Sequence, residues 1–357
     1  MSDENITSFG DIQVSGKSFV STTGDGGGEI AIAGRNISLA ERSLVLADNQ
    51  GNRDGGGISI KGDSLVINQS NISSNTYGAG NGGIIRLNAK NMTVENNSGV
   101  STANEQSTGN AGVIQINADS LTFRAGLNTN TYSQGNAGRI NIVANSLQLE
   151  NGGMGSQADF GSTGDAGEID INVAGPMIMK SFGIQTDAKS EKGKAGTIDI
   201  RANSLRMESK GGILSRIFND NSPGEIKINV EGSLELLNES GINTNTFGAS
   251  NGGNISIRAN SLLIDSSQVN SFTTNTGNAG TININVSDSF KFQNGALLNF
   301  QTFGMGNAGT INISANSFQI EGAGIISGTS NTGNAGEINI NISVKSMPVQ
   351  NLASLVQ

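Results

Sequence analysis

A chain of 357 residues is long enough for two or three ordinary domains, but its composition is unlike that of a multidomain enzyme: 51 Gly, 3 Pro, 4% aromatic residues and no His, Cys or Trp. Without His or Cys there is no imidazole base, thiol nucleophile or zinc site of the usual nitrogen and sulfur kind, so any chemistry would fall to carboxylates, Lys, Ser, Thr or Tyr. The net charge of −9 and the isoelectric point near 4.6 oppose nucleic acid, whose affinity rests on Lys and Arg neutralising phosphates, and no run of 18 apolar residues suggests a membrane span.

In chain order, residues 1–27 read as a partial coil. Met1 is followed by Ser-Asp-Glu-Asn, not by a basic and then apolar signal region. From Gly28 to position 346 one motif, Gly-x-Ile-x-Ile, recurs without interruption. Its glycines are Gly28, Gly56, Gly83, Gly112, Gly138, Gly167, Gly196, Gly224, Gly253, Gly280, Gly309 and Gly336, at intervals of 26 to 29 residues that average 28. Two residues after each glycine stands an isoleucine in all twelve copies, from Ile30 to Ile338. Four residues after it stand eleven isoleucines and Leu87. Apolar residues two apart with polar ones between are the period of a half-buried strand, and β-branched isoleucine suits a strand better than a helix.

A second alternating segment follows, as in Ser146-Leu147-Gln148-Leu149 and Ser261-Leu262-Leu263-Ile264. A third has the form Gly183-Ile184-Gln185-Thr186 or Gly241-Ile242-Asn243-Thr244. Three short strands and three turns therefore make each repeat. A 28-residue unit of this kind cannot bury its inward face alone, so neighbouring copies must cover one another. The expected fold is all-β, a right-handed parallel β-helix of about 12 coils, the hand following from the bias of parallel crossovers. At about 4.8 Å per coil it makes a rod of roughly 60 Å.

The turn Gly-Asn-Ala-Gly (Gly109 to Gly112, Gly135 to Gly138, Gly277 to Gly280, Gly306 to Gly309, Gly333 to Gly336) marks one corner. Asn and Gly tolerate left-handed backbone, and stacked Asn side chains can form amide ladders, so both are expected there. These glycines open strands. A nucleotide-binding glycine loop must open a helix, so nucleotide binding is set aside and no cofactor is expected. An aromatic recurs near that corner every second coil, at Tyr77, Tyr132, Phe247 and Phe303, and reads as corner packing or as a surface row on which carbohydrate stacks.

Runs such as Asn278-Ala279-Gly280-Thr281-Ile282-Asn283-Ile284 and Thr302-Phe303-Gly304-Met305-Gly306 resemble the repeat region of large bacterial filamentous-haemagglutinin-like exoproteins, especially the cyanobacterial kind. The resemblance extends from about Gly26 to Ile342. It implies a right-handed β-helix secreted by the two-partner route, placed outside the cell or on its surface, and acting in adhesion, aggregation or matrix formation with glycans or proteins as partners. The amino-terminal secretion domain and signal peptide of that family are not visible, and residues 347–357 break the pattern around Pro348, so the chain reads as a piece of a longer exoprotein. Without evident caps, end-to-end self-association is expected.

Many polysaccharide lyases and hydrolases are also β-helices with acids on one strand face. Asp170 and Asp199 occupy the same outward position in adjacent coils, flanked by Glu168 and Glu225, with Arg201 and Lys227 nearby. Such a pair of carboxylates could act as an acid pair or hold a cation. Against this stands the uniform coil length, which supplies no long loops to wall a cleft, so the expectation is a non-enzyme with no metal site. Array binding to ice or glycans would need unbroken Thr-x-Thr rows. Thr129-x-Thr131 and Thr244-x-Thr246 are separated by coils carrying Gln157, Asp187 or Arg216, and sequons such as Asn71-Ile72-Ser73 are what Asn-rich strands produce by chance.

Overall fold

The computed structural model describes residues 9–343; the irregular end expected at 347–357 lies outside them. Among the described residues there is no helix, and every strand pairing is parallel. Ile30, Ile58, Ile85, Ile114, Ile140, Ile169, Ile198, Ile226, Ile255, Ile282, Ile311 and Ile338 are register partners in one unbroken column. A second column runs from Ile12 through Leu121 and Leu205 to Phe318, and a third from Val20 through Leu127 and Ile213 to Ile325. The chain is a β-solenoid of about 12 turns of about 28 residues.

The cause is the alternation seen in the sequence. The inward isoleucines of the first column are buried from Ile30 through Ile311, so each coil supplies the apolar lid for the next. At the last described coil Ile338 and Ile340 keep their register but are 41% and 43% exposed, because no described coil lies beyond them. Before Gly28, Ile12–Val14 and Phe19–Ser21 pair with Asn36–Leu39 and Leu44–Leu46 as second and third strands of a preceding turn.

Three details differ from the sequence reading. First, strands one and two run together in the coils between Gly57 and Glu208, and in Arg139–Gly155 and Glu168–Gln185 all three do. The bend between them falls on a small inward residue, Ala89, Ala118, Ala144 or Ala202, and the ladders skip the residue that follows, as at Lys90, Asp119 and Asn145, before resuming in register. Second, a fourth ladder of single-residue bridges runs through Asn49, Thr76, Asn104, Thr131, Ala158, Ala188, Ile217, Thr246, Thr273 and Thr302, all fully buried. Where that residue has a donor it closes the following corner: Thr76 Oγ1 donates to the Gly80 carbonyl at 2.6 Å, Thr273 to Gly277 at 2.8 Å, and the Asn104 amide to Gly109 at 2.8 Å.

Third, the corner glycines are not left-handed. They are required by proximity: a Cβ on Gly138 would meet the Gly112 carbonyl oxygen at 1.9 Å, and one on Gly306 the Gly277 oxygen at 2.1 Å. Left-handed residues sit instead in the turn between strands two and three, for example Asn96, Asn97, Asn238 and Asn294. Nor do the corner asparagines pair amide to amide. Each Oδ1 accepts the backbone N–H of its successor one coil on: Asn81 from Asn110, Asn110 from Asn136 and Asn136 from Asp165, all at 2.9 Å. Asp54 starts this line and it stops at Lys194, whose ammonium offers no acceptor; Asn251 restarts it through Asn278, Asn307 and Asn334.

Candidate functional site

The outward face of the first strands brings the four predicted acids together, though not as a bare acid pair. Asp170 and Asp199 are direct register partners, whereas Glu168 and Glu225 lie two coils apart with Thr197 between them. Each acid has a cation. Arg139 reaches both Glu168 and Asp170, the latter at 3.3 Å; Arg201 holds Asp199; Lys227 lies 2.7 Å from Glu225. Arg201 and Lys227 are two residues along the same strand from the acids they pair with, so alternation alone sets up the contact. These exposed pairs contribute little stability.

Partial burial pushes the Asp170 carboxyl above its usual range; Arg139 pulls it back, and Glu168 and Asp199 add to the rise. The depression beside Asp199, lined by Arg201, Lys227, Asn229, Ser256 and Arg258, has a volume of about 190 Å³, below the ~300–1,000 Å³ of usual ligand pockets. No group of three or more acids placed to hold a metal ion occurs among the described residues.

The second predicted site is the aromatic row. Tyr77, Tyr132, Phe247 and Phe303 each follow a buried bridge residue, Thr76, Thr131, Thr246 or Thr302, and are therefore turned outward, 37 to 46% exposed. They do not form one even row. Glu105 stands between the two tyrosines, and Asp159, Lys189 and Phe218 occupy the same position between Tyr132 and Phe247. Toward the carboxyl end the rings join a longer ridge that sequence reasoning missed. Phe218 stacks on Phe247 at 4.7 Å between ring centres, and Phe272 bridges Phe247 and Phe303 edge to face at 5.9 and 5.6 Å. Phe160 meets Phe218 at 6.4 Å.

The signal for Phe218 was available, since it stands six residues before Gly224 as Phe247 does before Gly253. Phe272 stands two residues before that column's Thr274 and Phe160 one residue after its Asp159, and neither carries such a signal. Rings that lie against one another along the axis spend their faces on each other, which is the packing role expected of a corner. Cations close one end: Lys189 lies 5.9 Å from the Phe160 ring centre and pairs with Asp159, and Arg216 lies 5.7 Å from that of Phe218. Arg216 also holds the fully buried Asp187, whose carboxylate accepts the Arg216 backbone N–H at 2.8 Å and its Nε at 3.1 Å.

Fold and surface together define a parallel β-solenoid whose outward positions are mostly polar and whose candidate acids are each paired with a cation. No family model, curated protein or solved structure matches this chain.

Proposed function

We propose that this chain is a structural and adhesive rod of a secreted or cell-surface exoprotein, of the filamentous-haemagglutinin-like kind its repeats resemble, with cell-surface or matrix glycans or proteins as partners. The observation that supports this best is the continuity of the ladders: three strand columns and a fourth line of bridges run through the described residues with coils of 26 to 29 residues. That geometry builds a stiff, extended surface and, among the described residues, leaves no long loop to wall a reaction cleft. The acid cluster favours the same reading, because each of its carboxylates already has a cation.

The test is to bind the purified chain to a panel of cell-surface and matrix polysaccharides while monitoring new reducing ends and unsaturated products. Retention without turnover is the expected result. Product release that disappears in Asp170→Asn and Asp199→Asn would replace the rod with a polysaccharide lyase or hydrolase.

A further inference from the structure

Both the acid face and the aromatic ridge are largely satisfied from within the protein. The bend between the first and second strands is different. There the outward side chains at the end of strand one and those just past the turn form two walls of a trough parallel to the axis. Two depressions lie in it, of about 450 and 370 Å³. The first has Asn229, Arg258 and Asn285 on one wall and Glu231, Asn260 and Ser287 on the other, with Val230, Ala259 and Val286 beneath. The second repeats the pattern: Asn88 and Asn117 face Lys90, Asp119 and Asn145 above Ala89, Ala118 and Ala144. The two lie either side of the coil whose register shifts between Val173 and Pro176.

We propose that this trough binds a linear, uncharged polysaccharide lying along the rod axis. The inference rests on the adhesive reading and gives it a ligand class and a place. An amide carries two donors and an acceptor with two lone pairs, which matches a hydroxyl that both gives and receives. The trough offers amides on both walls, Asn229, Asn285 and Asn260 in the first depression and Asn88, Asn117 and Asn145 in the second, on coils stacked about 4.8 Å apart. Among the described residues the Asn229 and Asn285 amides make no side-chain hydrogen bond, and Arg258 makes neither a hydrogen bond nor an ion pair. Elsewhere on the rod comparable amides are consumed in ladders, as where Asn312 donates to Asn283 at 2.9 Å and Asn339 to Asn312 at 3.0 Å. On the second wall Asn260 accepts from Ser287 at 2.8 Å, and in the second depression Asn117 donates to Asn88 at 2.8 Å and Asn145 to Asp119 at 3.1 Å, so the groups left open are those of Asn229, Arg258 and Asn285 in the first depression.

The floor of Ala and Val suits the C–H faces of a sugar ring, and both depressions are near the 300–1,000 Å³ range of ligand sites. Charge selects against a polyanion. Arg258 and Glu231 balance in the first depression, the second carries Lys61 and Lys90 against Asp119 with Lys90 paired to Asp63 at 2.9 Å, and a chain of net charge −9 repels an acidic polymer as a whole.

Affinity electrophoresis of the whole chain through native gels containing mixed-linkage β-glucan, galactomannan or polygalacturonate tests this. Retardation is expected in the neutral polymers and not in polygalacturonate. The double variant Asn229→Ala with Asn285→Ala, which breaks no internal side-chain bond, is expected to weaken binding about tenfold, two lost hydrogen bonds of modest net strength. Ser314→Trp is expected to block the first depression, and Lys291→Ala on the second-strand face to change nothing. Circular dichroism confirms that each variant is folded. Unchanged retardation in both trough variants would overturn the trough while leaving an adhesive face elsewhere on the rod. Retardation by polygalacturonate alone would overturn the ligand class. Absence of retardation by all three polymers would overturn the proposal outright, and the rod would then need a protein partner.

Discussion

Replacing Gly196 with alanine asks whether the corner glycines are there for space. Gly196 is buried and not left-handed, so alanine meets no backbone objection. A Cβ would stand 1.9 Å from the Gly167 carbonyl oxygen and 2.8 Å from Thr186 Cβ. Non-bonded carbon contacts are comfortable at about 3.5–4.0 Å, so the two coils must separate by more than an ångström or the corner must refold. Both partners are backbone or β-branched, and the coils are held by eleven register pairs from Glu168↔Thr197 to Lys180↔Glu208, so neither gives easily. The cost expected is about 3 kcal/mol or more, at the upper end for overpacking. For a cooperative unit of 150–250 residues that lowers the melting temperature by roughly 6–12 °C.

Gly126→Ala is the control. Gly126 is exposed, not left-handed, and a Cβ there meets nothing within 4 Å. Restricting the unfolded chain should stabilise by about 0.4–1 kcal/mol. The assay is thermal unfolding followed by circular dichroism, with hydrogen exchange over Thr197–Glu208 to localise the loss, since long repeat arrays need not unfold in one step. If Gly196→Ala melts within a degree of the parent, or Gly126→Ala falls as far as it does, the proximity argument is wrong.

Three other outcomes follow from buried and half-buried polar groups. Thr129 Oγ1 is buried without a hydrogen-bond partner, whereas Thr273 Oγ1 donates to the Gly277 carbonyl at 2.8 Å. Thr129→Val should therefore raise stability by about 1 kcal/mol and Thr273→Val lower it by about 1–2 kcal/mol, read by chemical denaturation of the two variants side by side. Arg216→Ala leaves the fully buried Asp187 without its cation and should cost about 3 kcal/mol, with partial recovery in the double variant that adds Asp187→Asn; equal melting of the single and double variants would count against a buried-charge penalty. Burial, and secondarily Asp48, raises the Glu105 carboxyl above its ordinary value of 4.5. A carboxyl raised on folding opposes the native state at pH above its folded value, and that opposition fades as pH falls through it toward the unfolded value. Glu105→Gln should accordingly melt higher than the parent at pH 7 and level with it near pH 3, and a gap that persists in acid would refute the assignment.

What the amino-acid order determined by itself was the repeat and its burial pattern. A period of 28 with isoleucines two apart admits only one arrangement in which every coil buries its neighbour, so Ile198 stacking between Ile169 and Ile226 could be read before any coordinates. The juxtaposition of Asp170 with Asp199 followed from the same count.

Other features depend on contacts between coils that no single repeat displays. That Gly138 exists for the Gly112 carbonyl, and not for a left-handed turn, emerges only when one coil is laid on the next. The line of corner asparagines is joined through side-chain oxygens that accept backbone N–H groups one coil away, not through an amide ladder. Arg139 spans two acids because a long side chain reaches across the coil boundary, and Phe272 closes the aromatic ridge from a neighbouring column. The trough between strands one and two arises from the angle at which the backbone turns over Ala and Val. Periodicity states which residues face outward, and the bend of the chain decides which of those outward residues face each other.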